Sequence, residues 1–202
     1  MKTRLFVFAA AAMSAGLLWG SSTGAGEKKK DQKKDAAPEM ALPKPGPEHK
    51  LLAKLTGKWD GKVKMWMGPG EPTESMASVS RSPLMGGLYV KEDVAGEFGG
   101  MKFAGLGIFG YDVDKKKFVF AWIDNFGTGI MNTTGDYNEA AKAITYLGEE
   151  NNPQMGGLTK TRDVLTMTSD EKHIFEMYRT PKATGKELKI MEITFTRVAK
   201  KK

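Results

Sequence analysis

The chain has 202 residues, no cysteine and a formal net charge of +7 at neutral pH. Without cysteine it forms no disulfide and carries no cysteine-linked lipid anchor, so its stability must come from a packed core. The excess charge sits at the ends: residues 51–199 hold 19 basic and 19 acidic side chains, scattered rather than striped. That distribution lacks the footprint of a phosphate-binding surface, and nucleic acid is not an expected partner.

Residues 1–25 read as a secretory signal. Lys2 and Arg4 form a basic start, Leu5 to Leu18 an apolar run, and Thr23 and Ala25 suit a small-residue cleavage site. The apolar run is about 14 residues, short of the roughly 20 that span a bilayer. The expectation is a cleaved signal and an exported protein, periplasmic or secreted. Residues 26–46, with the Lys28-Lys29-Lys30 run and Pro43 and Pro45, lack apolar periodicity and read as a disordered tether. Together with the basic tail 200–202, the tether is expected to keep the protein soluble and to make at most weak contact with an anionic envelope surface.

The domain itself is expected over residues 47–199, a length that buries enough surface to fold as one monomeric unit. Pro47 and Glu48 open a short helix ending at Leu55, with Leu51, Leu52 and Leu55 on one face and Thr56-Gly57 as its stop. A lone helix before an all-β run can bury that leucine face only against the sheet, most simply as a plug over one end.

From Lys58 the hydrophobic period changes to two. Strands are predicted over 58–67, 73–82, 87–97, 101–112, 117–125, 128–138, 142–149, 158–167, 171–180 and 186–199. Gly68-Pro69-Gly70, Gly86-Gly87, Gly99-Gly100, Gly156-Gly157 and Thr184-Gly185 punctuate them with turn chemistry. Short connections make sequential strands neighbours, and closing ten twisted strands removes the exposed edges. The predicted fold is all-β, an antiparallel up-and-down barrel of about ten strands with a short N-terminal helix.

Several strands place a polar residue between apolar ones on the same face, as in Val90-Glu92-Val94, Phe120-Trp122-Asp124, Phe175-Met177-Arg179 and Ile190-Glu192-Thr194. Alternation leaves open whether those faces line a lumen or meet water. On the first alternative the barrel holds a small apolar ligand. Trp122, Phe120, Phe103 and Phe109 would then supply contact area, and Asp124 and Arg179 would orient a polar end. On the second, the barrel is filled by its own side chains and serves as a structural or interaction module.

Motifs for chemistry are weak. Gly105-Leu106-Gly107-Ile108-Phe109-Gly110 matches the dinucleotide fingerprint, but a turn and another strand follow where that mechanism needs a helix N-terminus. Glycines that relieve crowding, where a strand bends or packs on the helix, explain it better. Asp112 and Asp114 resemble the start of a calcium loop, yet Lys115-Lys116-Lys117 replaces the remaining ligands, so a hairpin turn is expected. Glu92, Asp124, Asp136 and Glu192 lie inside strands and are the candidates for acid–base work, with Arg81, Arg162, Arg179 and Arg197 as blander partners. His173 follows the Asp170-Glu171-Lys172 turn and is expected to be exposed. No cofactor or metal is called for.

Gly57-Lys58-Trp59 after a short helix resembles the Gly-x-Trp start of lipocalins and their calycin relatives. Downstream, Gly110-Tyr111-Asp112, Trp122-Ile123-Asp124-Asn125, Gly135-Asp136-Tyr137 and Lys189 to Arg197 resemble the bacterial domain-of-unknown-function family 1579. The resemblance covers about residues 47–199. It implies a lipocalin-like barrel and no transferable activity. A haem-binding barrel among the calycin relatives motivates one alternative, with His173 as the axial ligand.

Overall fold

The computed structural model describes residues 42–199. The expected signal, most of the tether and the tail 200–202 lie outside the described residues. One short helix, α1 (Pro47–Ala53), precedes ten strands: β1 (Gly57–Met65), β2 (Thr73–Leu84), β3 (Tyr89–Phe98), β4 (Met101–Asp112), β5 (Lys117–Asp124), β6 (Met131–Asn138), β7 (Ala143–Asn152), β8 (Gly157–Ser169), β9 (Lys172–Pro181) and β10 (Leu188–Arg197). Each strand pairs antiparallel with its sequence neighbours, and β1 pairs with β10 from Trp59↔Arg197 to Met65↔Met191. The meander is therefore closed and leaves no sheet edge.

Element ends shift by a few residues from the sequence reading. β6 starts at Met131 rather than 128, because the Asp124 carboxylate accepts hydrogen bonds from the Phe126 and Gly127 amides and turns the chain early. The Asp112 carboxylate likewise accepts from the Asp114 and Lys115 amides, making the hairpin turn expected there.

The helix is the predicted plug. Pro47 occupies its first turn, and the His49 imidazole accepts a hydrogen bond from the Gly46 amide at 3.0 Å. Leu52 and Leu55 are fully buried on the barrel end, and the Leu55 carbonyl accepts from the Trp59 indole at 2.9 Å. Arg197, at the end of β10, donates to the Thr56 and Lys54 carbonyls. A cation thereby meets the helix C-terminus and ties it to the barrel. Its guanidinium also lies 4.1 Å from the Trp59 ring centre.

The strand alternation resolves into an interior and an exterior. Trp59, Val79, Val90, Phe109, Phe118, Phe120, Ile144, Tyr146, Leu165, Phe175 and Phe195 all point inward and form one core beneath α1. Of the four strand faces singled out by sequence, three point inward. The fourth, Ile190-Glu192-Thr194, does not: register slips between Lys189 and Met191, and Met191, Ile193 and Phe195 face the interior instead. Glu192 stays outside, where Lys189 bridges it to Glu176 on β9.

Candidate functional site

The two ends of the barrel are built differently. Beneath α1 most inward-facing residues are buried, with Tyr111 and Tyr137 half-buried at that end. Toward the other end Val63, Ala77, Val94, Phe103, Trp122, Met131, Met177 and Ile193 occupy equivalent inward positions but are only half-buried. We term this half-buried lining, opposite the helix, the cup. A cavity of about 230 Å³ lies at the α1 end, where Leu51, Tyr137, Met167 and His173 line it. One wall of the cup, contributed by β1 to β6 and β10, is mostly apolar, with Ser75 and Thr133 as its inward polar residues. The other, from β7 to β9, carries Glu150, Thr159, Thr161, Asp163 and Arg179.

The aromatic residues form a ladder running up the apolar wall. Phe109 and Phe120 stack with centroids 4.5 Å apart, Phe120 and Trp122 lie at 6.2 Å, and Trp122 and Phe103 stack at 6.3 Å. Phe126, on the β5–β6 loop, meets Phe103 edge-on at 5.3 Å. Glycine makes this ladder possible. A Cβ at Gly105 would collide with the Trp122 indole, and one at Gly107 would press on the Phe120 ring at 3.0 Å. The Gly105–Gly110 run therefore makes room chiefly for rings of β5 inside the barrel, rather than for the helix, and Gly110 makes room for Tyr89.

Of the six residues singled out by sequence, Phe109 and Phe120 are buried in the floor, while Trp122 and Phe103 line the cup. Arg179 is also inside, with one guanidinium nitrogen 3.9 Å from the Met131 sulfur, the residue paired across from Trp122. Asp124 has partners of its own within the protein. It sits at the rim, where it accepts a hydrogen bond from the Trp122 indole at 2.8 Å and shapes the following turn. Its carboxylate orients Trp122.

Arg179 is held by groups the sequence reading did not select. It donates to Asp163 at 2.6 Å, Glu150 at 3.1 Å and the Tyr178 carbonyl at 2.9 Å. Burial raises the Asp163 carboxyl above its usual range, and the neighbouring Arg179 opposes that shift. The second Asp163 oxygen and the Thr161 hydroxyl are buried with no protein partner. Their only sequence signal is Thr159-Thr161-Asp163 running in phase with buried Leu165 and Met167.

A second ionic cluster lies in the floor. Arg81 and Glu92 form an ion pair between β2 and β3, both nearly inaccessible to water. The Arg81 guanidinium packs 4.3 Å from the Phe195 ring centre and reaches within 3.5 Å of His173 Nδ1. Tyr146 has a buried, unpartnered hydroxyl, and burial raises its pKa, reinforced by the Glu92 charge and opposed by Arg81.

His173 corrects the sequence reading. It is 1% exposed, not solvated, because as the second residue of β9 it faces inward against Trp59, at a ring separation of 4.3 Å. Burial, followed by the charges of Arg81 and Arg197, holds its pKa down to about 4, so the imidazole is neutral near neutral pH. Trp59 and Arg81 enclose it beneath the plug, where it lines one cavity with Leu51, Tyr137 and Met167. The carboxylates nominated for acid–base work are dispersed. Glu92 is in the floor and Asp124 at the rim, while Asp136 and Glu192 lie outside with Lys117 and Lys189. Among the described residues no cluster of His, Cys, Asp or Glu could hold a metal ion.

A family model described as "protein of unknown function (DUF1579)" matches residues 44–197. The chain belongs to this family. DUF1579 membership thus spans the helix and all ten strands. No curated protein matches. Among solved structures, a protein of unknown function from the DUF3598 family of Nostoc punctiforme is similar over 76% of this chain and 100% of its own, at 6% identity and a TM-score of 0.22. That likeness is too distant to inform the cup of the DUF1579 chain.

Proposed function

We propose that this protein is an exported, non-enzymatic binder of a small, largely apolar molecule, held in the cup opposite α1. One observation carries the reading. Inward-facing Trp122, Phe103, Met131, Met177 and Ile193 remain accessible to solvent, although burying them would stabilise the barrel by about 25 cal/mol per Å². A ligand placed against them recovers that energy. Phe103 and Trp122 supply its contact area, and Arg179, now buried in its pairs with Asp163 and Glu150, would turn into the cup to meet its polar end. Export rests on the basic start and apolar run of residues 2–18.

Native mass spectrometry of the mature protein, purified gently from its own envelope fraction, tests this. A reproducible extra mass lost on denaturation supports the carrier and identifies the ligand class. The bare polypeptide mass at every collision energy sinks it. That outcome favours a structural module, for which the side-chain-filled floor from Trp59 to Phe195 is the supporting observation.

A further inference from the structure

In an up-and-down barrel every second connection lies at the same end, so five loops surround the mouth of the cup: β1–β2, β3–β4, β5–β6, β7–β8 and β9–β10. Each carries or adjoins a large apolar side chain in water. These are Met67, Met101, Phe126 with Ile130, Leu158 and Leu188, between 43% and 73% exposed. At the α1 end two of the four strand connections do so, with Met85 and Val113, and Leu42 and Val198 are exposed at the same end. The β6–β7 and β8–β9 turns there are instead rich in charge, with Glu139, Lys142, Asp170 and Glu171. Lys102, Lys182 and Lys186 are exposed at the mouth. Of the acids there, Glu187 is held by Arg162 and Asp124 by the Trp122 indole and two turn amides. This leaves Glu71 and Glu97, the latter paired across from Lys102, against three lysines.

We infer that the mouth rim docks on the surface of a lipid bilayer. Apolar side chains this exposed cost solvation free energy unless something covers them. Their layout identifies the cover. They are spread one loop at a time around an opening, so a planar, deformable partner meets all of them together. The lysines between them add attraction to anionic headgroups. Continuity with the interior favours the same partner. Phe126 at the rim contacts Phe98 and Phe103, and Phe103 stacks on Trp122, so an apolar path runs from rim to cup. A bilayer is the phase in which a largely apolar ligand is concentrated. Docking itself does not require an occupied cup, so it stands apart from the ligand reading.

Because the chain has no cysteine, Ile130→Cys and Met85→Cys can each carry a solvent-sensitive fluorophore in the mature protein, without residues 1–25. Both positions are exposed, and circular dichroism checks the fold. With vesicles of phosphatidylcholine and phosphatidylglycerol and no other ligand, the Ile130 label is expected to shift to shorter wavelength while the Met85 label stays unchanged. The double variant Met67→Ser with Phe126→Ser should weaken the vesicle-induced shift of the Ile130 label about tenfold in lipid concentration. An unshifted Ile130 label on vesicle-bound protein overturns the inference, since attachment then runs through another segment. Equal shifts at both labels, or unchanged titration in the double variant, overturn it too. So does a shift that grows with protein concentration in the absence of vesicles, which would assign the rim to a second copy of the chain. A bare mass in native spectrometry beside a shifted Ile130 label would sink the carrier and leave the docking intact.

Discussion

The Trp122 indole lies across Gly105 of the neighbouring strand so closely that no side chain fits between them, and the Asp124 carboxylate holds the indole nitrogen at 2.8 Å. Backbone on one side and a hydrogen bond on the other fix the largest apolar surface of the cup. Gly105→Ala is expected to displace the ring and destabilise the barrel by about 1–3 kcal/mol, the usual cost of overpacking. Urea unfolding measures the loss, and near-ultraviolet circular dichroism reports the altered indole environment.

Trp122→Ala should instead leave the fold in place and remove contact area from the cup. Titration with the neutral fluorescent probe N-phenyl-1-naphthylamine is expected to show affinity lower by about tenfold than in the parent chain. Unchanged affinity would remove Trp122 from the binding surface.

The Arg81–Glu92 pair makes a sharper stability prediction. Glu92→Ala leaves a guanidinium among Phe195, Trp59 and Phe109 with its carboxylate gone, and a loss of about 3–5 kcal/mol is expected. Replacing both partners, Arg81→Met with Glu92→Leu, should recover most of it, because the cost is that of the stranded charge. Denaturant midpoints of the parent and both variants make the comparison.

His173 predicts a pH dependence with a definite sign. Its pKa is about 4 in the fold against an ordinary 6.5, so above pH 6.5 neither state is protonated and the residue contributes no slope. Between pH 6.5 and about 4 the unfolded chain takes up the proton and the native chain does not. Stability therefore falls as pH falls, by up to about 3 kcal/mol across that window. Asp163 acts in the opposite sense, because its raised native pKa relieves a burial penalty on protonation. A chemical-denaturation series with and without His173→Gln isolates the histidine: the variant should show a shallower acid limb.

The order of elements was legible because its causes are local. Period-two alternation from Lys58, turn glycines such as Gly99-Gly100, and Leu52 and Leu55 before Gly57-Lys58-Trp59 all act within a few residues. They led to ten strands, a meander and a plug without reference to distant neighbours. The orientation of Phe120, Trp122 and Arg179 on their strands followed the same alternation. What was left open or misplaced was decided across the sheet. A slip of register at Lys189–Met191 turned Glu192 outward, and closure brought Trp59 and Arg81 onto His173, burying a residue whose own neighbours are charged. Arg179 meets Asp163 from 16 residues away and Glu150 from 29. The sequence by itself determined which side chains share a strand face. Only the closed barrel decided which of those faces meet, because register and closure are set by cooperative pairing of all ten strands and leave no mark within any one of them.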